Sequence, residues 1–382
     1  MSYKTPIRDI QFVMNEVLDF PTHYQNISTG ENATPEIVDA ILEEAAKLAE
    51  NVLAPLNIVG DQQGCKLENG KVTTPPGFVE AFQQYKENGW HSLSIDEYWG
   101  GQGLPLSLGS VLTETQFSAN HAWTIYPKAA LGAIQTIQAH ASIELQKKYL
   151  PSMIDGNCGG TMCLTESHSG SDLGLLRTKA EPNADGSFSI TGSKIFITGG
   201  EHDMTDNNMH IVLARLPDAP TGVKGISLFM VPKIHVNDDG SLGEHNIVNC
   251  GSIEEKMGIH GSCTCVMNFD GAQGFLIGEK NKGMSCMFTF INESRLGVAQ
   301  HAHAHIEGSF QKALAYAKDR LQMRAPVRKL PEKAADPIIV HPDVRRMLLT
   351  QKAFSEGARM LNYFCAKQVD LLHEKGNEEQ RY

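Results

Sequence analysis

The sequence predicts an α+β fold in which a β segment separates two helical segments. Apolar residues recur at helical spacing up to about residue 157, whereas residues 159–275 contain short β-branched runs separated by glycine and asparagine or aspartate turns. Helical spacing returns after Gly283. The 382 residues suit two or three domains. We therefore predict domains over 1–157, 158–276 and 277–382.

The first segment contains several helix signals. Thr34 suits an N-cap, Pro35 suits the first helical position, and an apolar stripe follows them to Leu53. Further helices are predicted over 77–88, 108–119 and 127–140. The glycine-rich stretch between the first two of these predicts a loop over 98–105.

The middle segment is predicted to contain paired strands. Residues 187–190 and 194–198 are separated by Thr191-Gly192, a spacing typical of a β-hairpin. Residues 210–215 and 225–232 predict further strands.

The last segment predicts two long amphipathic helices, over 284–314 and 343–374, joined by a proline-rich loop. A helix pair alone makes a thin domain. We therefore expect the chain to be part of a longer polypeptide, since residues 378–382 carry no closing signal.

Arg295 is the unusual residue of the first of these helices. At about 100° per residue it lies within about 40° of Ile291 on the apolar stripe. A buried arginine needs an anionic or polar partner, and a core carboxylate or a ligand phosphate or carbonyl would serve. Glu293 points about 200° from Ile291 and is expected to face outward.

Charge and hydropathy exclude several classes of protein. The formal net charge is 33 − 44 = −11, which disfavours nucleic-acid binding. No apolar run reaches the roughly 18 residues of a membrane span, and no secretory or transit segment is evident. A cytoplasmic protein is expected.

The cysteines and histidines do not predict a metal site. The eight cysteines are scattered and are expected to be reduced structural thiols. His301 and His305 share a helix face, but His303 lies on the opposite side, so three ligands cannot converge.

One segment of the sequence is a candidate ligand-binding loop. Residues 165–172 combine hydroxyls, glycine and backbone donors, a composition that can surround phosphate or flavin, although such turns are usually solvated loops. No G-x-G-x-x-G, G-x-x-x-x-G-K-[ST] or G-x-S-x-G motif is present.

Taken together, these segments resemble the acyl-CoA dehydrogenase family. The resemblance runs from about Ile37 to the last residue, and residues 3–9 with the proline loop resemble its larger bacterial-type branch. The motifs that carry it are Gly89-Trp90 with 100–105, 162–166 with 170–172, 192–200, 255–258 and the helix around Arg295.

The resemblance implies a helical N-terminal domain, a β-barrel-like middle domain and a C-terminal helical bundle that is incomplete here. It implies FAD, an acyl-CoA substrate converted to the trans-2-enoyl-CoA, an electron-transfer flavoprotein as acceptor, and a homodimer or homotetramer. It implies neither nucleic acid nor membrane as a partner. Two alternatives stay open, an acyl-CoA oxidase and a non-catalytic nucleic-acid-binding relative.

The resemblance also assigns cofactor-binding residues. Met162, Leu164 and Thr165 would run along the flavin edge, Phe196 would replace the family's tryptophan against the ring, and Thr198 would donate near N5.

Ser171 would lie where the FAD pyrophosphate and the CoA arm meet. Asn292 and Arg295 would face the CoA end of the substrate. Arg320 would reach the FAD of a neighbouring subunit. The catalytic glutamate is expected beyond Tyr382, because no E-G-T-like motif is present and the alternative position is Ser294.

Overall fold

The computed structural model describes residues 3–374, which contain ten α-helices and eleven β-strands. The helices are α1 Ile7–Phe12, α2 Phe20–Gln25, α3 Pro35–Leu48, α4 Ala54–Gln63, α5 Phe78–Glu87, α6 Leu106–Ala119, α7 His121–His140, α8 Ile143–Ile154, α9 Gly283–Asp319 and α10 Pro342–His373. The strands are β1 Lys66–Glu68, β2 Lys71–Thr73, β3 Cys158–Cys163, β4 Lys179–Pro182, β5 Phe188–Thr198, β6 Asn207–Arg215, β7 Ile226–Pro232, β8 Ile234–Val236, β9 Leu242–His245, β10 Val248–Ile253 and β11 Thr264–Ile277.

The chain forms two compact units. The first comprises Met1–Pro55, Leu104–His121 and Leu296–Tyr382, and the second comprises Leu56–Gly103 and Ala122–Arg295. Helices from both ends of the sequence thus share one unit. The division into three successive domains stays a prediction.

The first unit is helical and is built around α6. This helix lies against α3 and α10, and almost all of its side chains are buried, including the polar Glu114 and Gln116. A helix buried on every side needs partners for its polar groups. Glu114 has them, since it accepts hydrogen bonds from Arg359 and Tyr363 of α10.

The second unit is built around a seven-stranded sheet with the order β10-β11-β5-β4-β6-β3. Strand β7 pairs with both β11 and β6, so the pairings β11-β5-β4-β6-β7 close into a ring. Closure removes the open edges of these strands. The α+β class and the barrel-like middle segment are confirmed.

The predicted hairpin around Thr191-Gly192 is wrong. Residues 188–198 form one continuous strand, β5, which pairs with β11 from Thr264↔Thr198 to Gly274↔Phe188. Gly192 has φ 158°, which is extended backbone rather than a turn. The register between β5 and β11 shifts twice, between Thr191 and Ile190 and again between Ile197 and Lys194, but the strand continues through both positions.

Most predicted helices are confirmed within a few residues. The Thr34 side chain accepts a hydrogen bond from Ile37 N at 3.4 Å, so it caps α3 as predicted. Helices α1, α2, α4 and α8, the short β1–β2 hairpin and strands β3, β4, β8, β9 and β10 were not predicted. The stretch 378–382 lies outside the described residues.

None of the helices within residues 3–374 is long and apolar enough to cross a membrane.

Candidate functional site

A buried ion pair fixes the loop after β3 to strand β5. The Lys194 side chain is 0% exposed, and its Nζ donates to Leu164 O and to Glu166 Oε1, both at 2.9 Å. Glu166 also accepts from Thr178 N at 3.0 Å and from Arg177 N at 2.8 Å. One carboxylate therefore organises the backbone on both sides of the loop.

The electrostatics of Glu166 reflect this arrangement. Burial raises the pKa of its carboxyl, but the charge of Lys194 and the hydrogen bonds from Thr178, Lys194 and Arg177 outweigh burial and lower the pKa to about 2. The carboxylate is thus ionised at neutral pH. The sequence contains a signal for this pair, because a lysine on the apolar strand β5 requires an interior partner.

The Lys194–Glu166 ion pair also places Thr165 beside β5. Ile195 N donates to Thr165 O at 2.8 Å, so the loop 164–166 is hydrogen-bonded to β5 at this point. The side chains of Thr165 and Thr198 are both half-buried. Among the described residues no hydrogen-bond partner is recorded for either hydroxyl, which leaves both available to a ligand.

Phe196, two residues before Thr198 in β5, has an unusual conformation. Its φ is 61°, in the left-handed region that phenylalanine rarely adopts, and its side chain is 59% exposed. The register shift between β5 and β11 explains the geometry, because a bulge turns a side chain away from the pleat. A flat apolar ring is therefore presented to solvent, held at a conformational cost of about 1–2 kcal/mol.

Replacing Phe196 with glycine should separate the cost of the strained backbone from the contribution of the aromatic ring to cofactor binding. We expect the free energy of unfolding without cofactor to stay the same or rise by up to about 1 kcal/mol, since glycine accepts positive φ. The FAD dissociation constant should rise about threefold to tenfold through loss of roughly 0.5–1.5 kcal/mol of ring contact. Chemical denaturation and FAD titration measure the two quantities.

Phe196→Ala is the matched control, because it loses the ring but keeps the strained backbone. It should weaken FAD binding to the same degree with no gain in stability. A less stable Phe196→Gly protein with unchanged FAD affinity would show that the ring serves the fold instead.

An apolar wall lies next to the loop. Met162 and Leu164 pack against the main core of the second unit, as do Leu131 of α7 and Ile291 of α9. Strand β3 and α7 approach closely at Gly160, where a Cβ would lie 2.6 Å from Ala133 Cβ. A larger residue at 160 would separate this helix from this strand.

The buried face of α9 differs from the predicted stripe. Cys286, Met287 and Phe290 are buried, whereas Phe288 and Arg295 are exposed. At about 100° per residue, Arg295 lies roughly 140° from Phe290. The prediction that Arg295 is buried is therefore wrong, because packing rather than apolar count selects the face of this long helix.

Arg295 has no carboxylate within ion-pair distance among the described residues. Its Nη1 donates to Asn292 Oδ1 at 3.2 Å, and its guanidinium lies 5.3 Å from the centre of the Phe288 ring. The ion pair with a core carboxylate, one of the two partners considered for Arg295, is therefore not formed among the described residues. The guanidinium is thus available to an anionic ligand.

Glu293 was predicted to face outward, and this prediction is also wrong. Its side chain is only partly exposed, and burial raises its carboxyl pKa, an effect that the charge of Lys128 opposes. Burial in turn lowers the pKa of Lys128 on α7. The two groups therefore influence each other's ionisation, but no ion pair joins them among the described residues.

Two further predicted residues, Ser171 and Arg320, are exposed. Ser171 is exposed in the loop that begins at Thr165. Arg320 follows α9 in the first unit, where its side chain is exposed and its carbonyl accepts from Ile338 N at 2.9 Å. Its predicted role at a neighbouring subunit is untested.

The residues at the β5 edge fit a flavin. Two available hydroxyls, those of Thr165 and Thr198, belong to the strand and loop that carry the exposed Phe196 ring, and the apolar Met162 and Leu164 precede Thr165 in the chain. This combination suits a flat ring system with polar atoms on its rim. Within residues 3–374, no cluster of three or more histidine, cysteine or acidic side chains is arranged to hold a metal ion.

Family models match almost the whole chain. The N-terminal, middle and C-terminal domains of acyl-CoA dehydrogenases match residues 36–157, 161–272 and 281–380, respectively. The 3-methylmercaptopropionyl-CoA dehydrogenase of Ruegeria pomeroyi is 42% identical over 381 residues, which cover 100% of this chain. The resemblance to the larger bacterial-type branch, which includes that enzyme, is confirmed. The chain spans 64% of the length of the curated relatives that match it from end to end.

Solved structures show the same architecture. The butyryl-CoA dehydrogenase of Megasphaera elsdenii matches with a TM-score of 0.72 and 25% identity, over 88% of this chain and 80% of that one. A chain of the electron transferring flavoprotein structure from Acidaminococcus fermentans matches with a TM-score of 0.73 and 26% identity, over 88% and 79%. The chain therefore belongs to the acyl-CoA dehydrogenase family.

Proposed function

We propose that the protein is an FAD-dependent acyl-CoA dehydrogenase that converts an acyl-CoA thioester to its trans-2-enoyl-CoA. The observation that carries the proposal is that two available hydroxyls, Thr165 and Thr198, and the exposed Phe196 ring belong to one segment of β5 and the loop hydrogen-bonded to it. Members of the family are FAD-binding flavoproteins. When bound, FAD supplies the hydride acceptor for the β-carbon.

The residues at the β5 edge would bind and orient the flavin. Thr165 and Thr198 would donate hydrogen bonds to its polar rim, and Phe196 would cover part of one face. Met162 and Leu164 would exclude water from the reacting side. The Lys194–Glu166 ion pair would keep the two threonines at a fixed separation, since it ties Leu164 O and the loop after Thr165 to β5.

The residues outside this edge would recognise the CoA part of the substrate. Arg295 carries a guanidinium with no carboxylate partner among the described residues, and it would pair with an anionic or carbonyl group. Asn292, its hydrogen-bond partner, would orient it. Ser171 would contribute a hydroxyl where the two nucleotide arms meet.

The reaction also needs a base and an α-proton that is acidic enough for the base to remove. The α-proton of a thioester is weakly acidic, so hydrogen bonds to the thioester carbonyl must stabilise the enolate as it forms. We place the base on a glutamate beyond Tyr382, because Ser294 occupies the alternative position on α9.

An electron-transfer flavoprotein would reoxidise the cofactor. The match to a chain of the Acidaminococcus fermentans electron transferring flavoprotein structure supports this partner. A homodimer or homotetramer would allow Arg320 to reach the FAD of a neighbouring subunit.

Anaerobic addition of acyl-CoA to the FAD-loaded full-length protein tests the function. We expect the flavin absorbance to bleach within the first turnover, and an electron-transfer flavoprotein to restore it. A flavin that no acyl-CoA bleaches would contradict the proposal. Stoichiometric peroxide on admission of air would favour the oxidase reading instead.

Arg295→Ala tests the proposed CoA contact in the same protein. Loss of a charge-assisted hydrogen bond of about 1.5–3 kcal/mol should raise KM for acyl-CoA roughly tenfold to a hundredfold. Stability should change by less than about 0.5 kcal/mol, because the side chain is exposed. Steady-state kinetics and thermal unfolding measure both.

Glu293→Gln, two residues away on the same helix, serves as the control and should keep kcat within a few-fold. A thousandfold loss of kcat in this control would instead place the base at Glu293. Unchanged KM in Arg295→Ala together with a lower Tm would show that Arg295 serves the fold.

A further inference from the structure

Tyr126 is a buried residue of α7 whose hydroxyl has partners at the start of β11. Burial raises the pKa of this hydroxyl well above its ordinary value, so the oxygen keeps its proton and can both donate and accept. It accepts a hydrogen bond from Cys263 N at 2.9 Å and donates one to Gly261 O at 3.2 Å. One side chain of α7 therefore fixes the backbone that leads into β11.

The start of β11 in turn holds the end of β5. Cys263 O accepts a hydrogen bond from Gly199 N at 2.9 Å, and Thr264 pairs with Thr198 in the antiparallel ladder. Cys263 thus bonds to Tyr126 through its N–H and to Gly199 through its carbonyl. A displacement of Cys263 would reach the residue that directly follows Thr198.

The Tyr126 ring also contacts this turn directly. Gly199 has φ 62°, in the left-handed region that favours glycine, and a Cβ at this position would lie 3.3 Å from Tyr126 Cδ1. Asn208 Nδ2 of β6 donates to Gly199 O at 2.7 Å. The amide, the carbonyl and the Cα of Gly199 are therefore all held by neighbours within the second unit.

We propose that Tyr126 is a positioning residue for the flavin, and that it sets the place of Thr198 through Cys263 and Gly199. Its hydroxyl holds the start of β11, and its ring holds the turn after β5. The Thr198 hydroxyl is thereby presented to the polar rim of the flavin at a fixed position. The effect on the flavin rests on the proposed function, whereas the order of the turn does not.

Hydrogen–deuterium exchange of the full chain without FAD tests the order of the turn. Tyr126→Phe keeps the ring and loses only the hydroxyl. Backbone amides in the peptides that contain Gly199 and Cys263 should exchange about threefold to tenfold faster, because one buried hydrogen bond is lost. Unchanged exchange in these two peptides would overturn the proposal.

Thr136→Val is the matched control. It also removes a buried hydroxyl from α7, but the Thr136 hydroxyl donates to Gly132 O at 2.8 Å within the same helix. Exchange at Gly199 and Cys263 should therefore stay the same in this variant. Equal acceleration in Tyr126→Phe and Thr136→Val would overturn the proposal, because a general loss of stability would then explain both.

FAD titration of the same two variants tests the link to Thr198. In Tyr126→Phe the FAD dissociation constant should rise about threefold to tenfold and the visible flavin band should shift, since a displaced Thr198 loses its hydrogen bond to the flavin. Neither change is expected in Thr136→Val. Unchanged affinity and spectrum in Tyr126→Phe would overturn the proposal. If the unmodified protein bound no FAD, the proposed function would fail, and the exchange measurement would decide whether Tyr126 positions the turn.

Two glycine variants give the same test if Tyr126→Phe fails to fold. Gly199→Ala adds a Cβ against the Tyr126 ring, whereas Gly222→Ala adds one at a similar φ of 72° with no heavy atom of the described residues within 4 Å. The backbone strain is thus matched between them. Only Gly199→Ala should speed exchange at Cys263 and weaken FAD binding, and equal effects of the two would overturn the proposal.

Discussion

Replacing Arg359 with methionine is expected to lower the free energy of unfolding by about 3–5 kcal/mol, because it leaves buried carboxylates without their cation. Arg359 and Glu114 are both 0% exposed, and Arg359 Nε and Nη2 donate to Glu114 Oε1 at 3.0 and 2.9 Å. Arg359 Nη1 also donates to Glu356 at 2.6 Å, and Nη2 donates to Glu307 at 3.3 Å.

The rest of the network depends on the same guanidinium. Tyr363 donates to Glu114 Oε2 and Ser355 donates to Glu307 Oε2, both at 2.6 Å. These hydroxyls satisfy the carboxylates but cannot neutralise them. Urea denaturation monitored by circular dichroism measures the loss.

Arg346→Met on the same helix is the matched control. Its partner Asp343 lies at 2.9 Å, but both side chains are exposed, so the expected loss is about 0–1 kcal/mol. Equal losses in the two variants would contradict the buried network as the source of stability.

Glu166→Gln should have the second large effect, on both folding and cofactor binding. Lys194 would stay buried without an anionic partner, at an expected cost of about 3–5 kcal/mol. The loop holding Thr165 would also lose its anchor, so FAD affinity should fall. Chemical denaturation and FAD titration of the same preparation test both outcomes.

The pH dependence of this ion pair has a definite sign. The Glu166 pKa is lowered to about 2 in the folded chain from an ordinary value of 4.5. Its contribution, about 3 kcal/mol from the size of the shift, is therefore fully present above about pH 4.5 and is lost as pH falls through about 2. The stability of the Glu166→Gln protein should fall less on acidification below about pH 4.5 than that of the unmodified protein.

The double variant Glu166→Gln, Lys194→Met controls for loss of the pair as a whole. Removing both charges should recover part of the stability, because no unpaired ion stays buried. A double variant as unstable as Glu166→Gln alone would contradict an electrostatic origin.

Local signals were sufficient for much of the fold. The α3 cap at Thr34 depends on neighbouring residues, and the sequence predicted it correctly. The predicted hairpin at Thr191-Gly192 is wrong, although a glycine-containing pair between two β-branched runs is typical of a turn. Strand β11, about seventy residues further along the chain, pairs with both halves of β5 and keeps the backbone extended through Gly192.

Contacts between distant segments explain the other errors. Apolar residues on several sides of α9 permit more than one buried face, and packing against α7 and β3 selects Phe290 rather than Arg295. The Lys194–Glu166 ion pair joins two predicted motifs. It could be predicted only once β5 is known to be continuous.

The most direct measurement is an FAD titration of the purified chain. We expect a yellow protein that binds one FAD per chain with quenched or shifted flavin spectra, and weaker binding in Phe196→Ala and Glu166→Gln. A folded, colourless protein that leaves the FAD spectrum unchanged would contradict the assignment of the β5 edge as the flavin site.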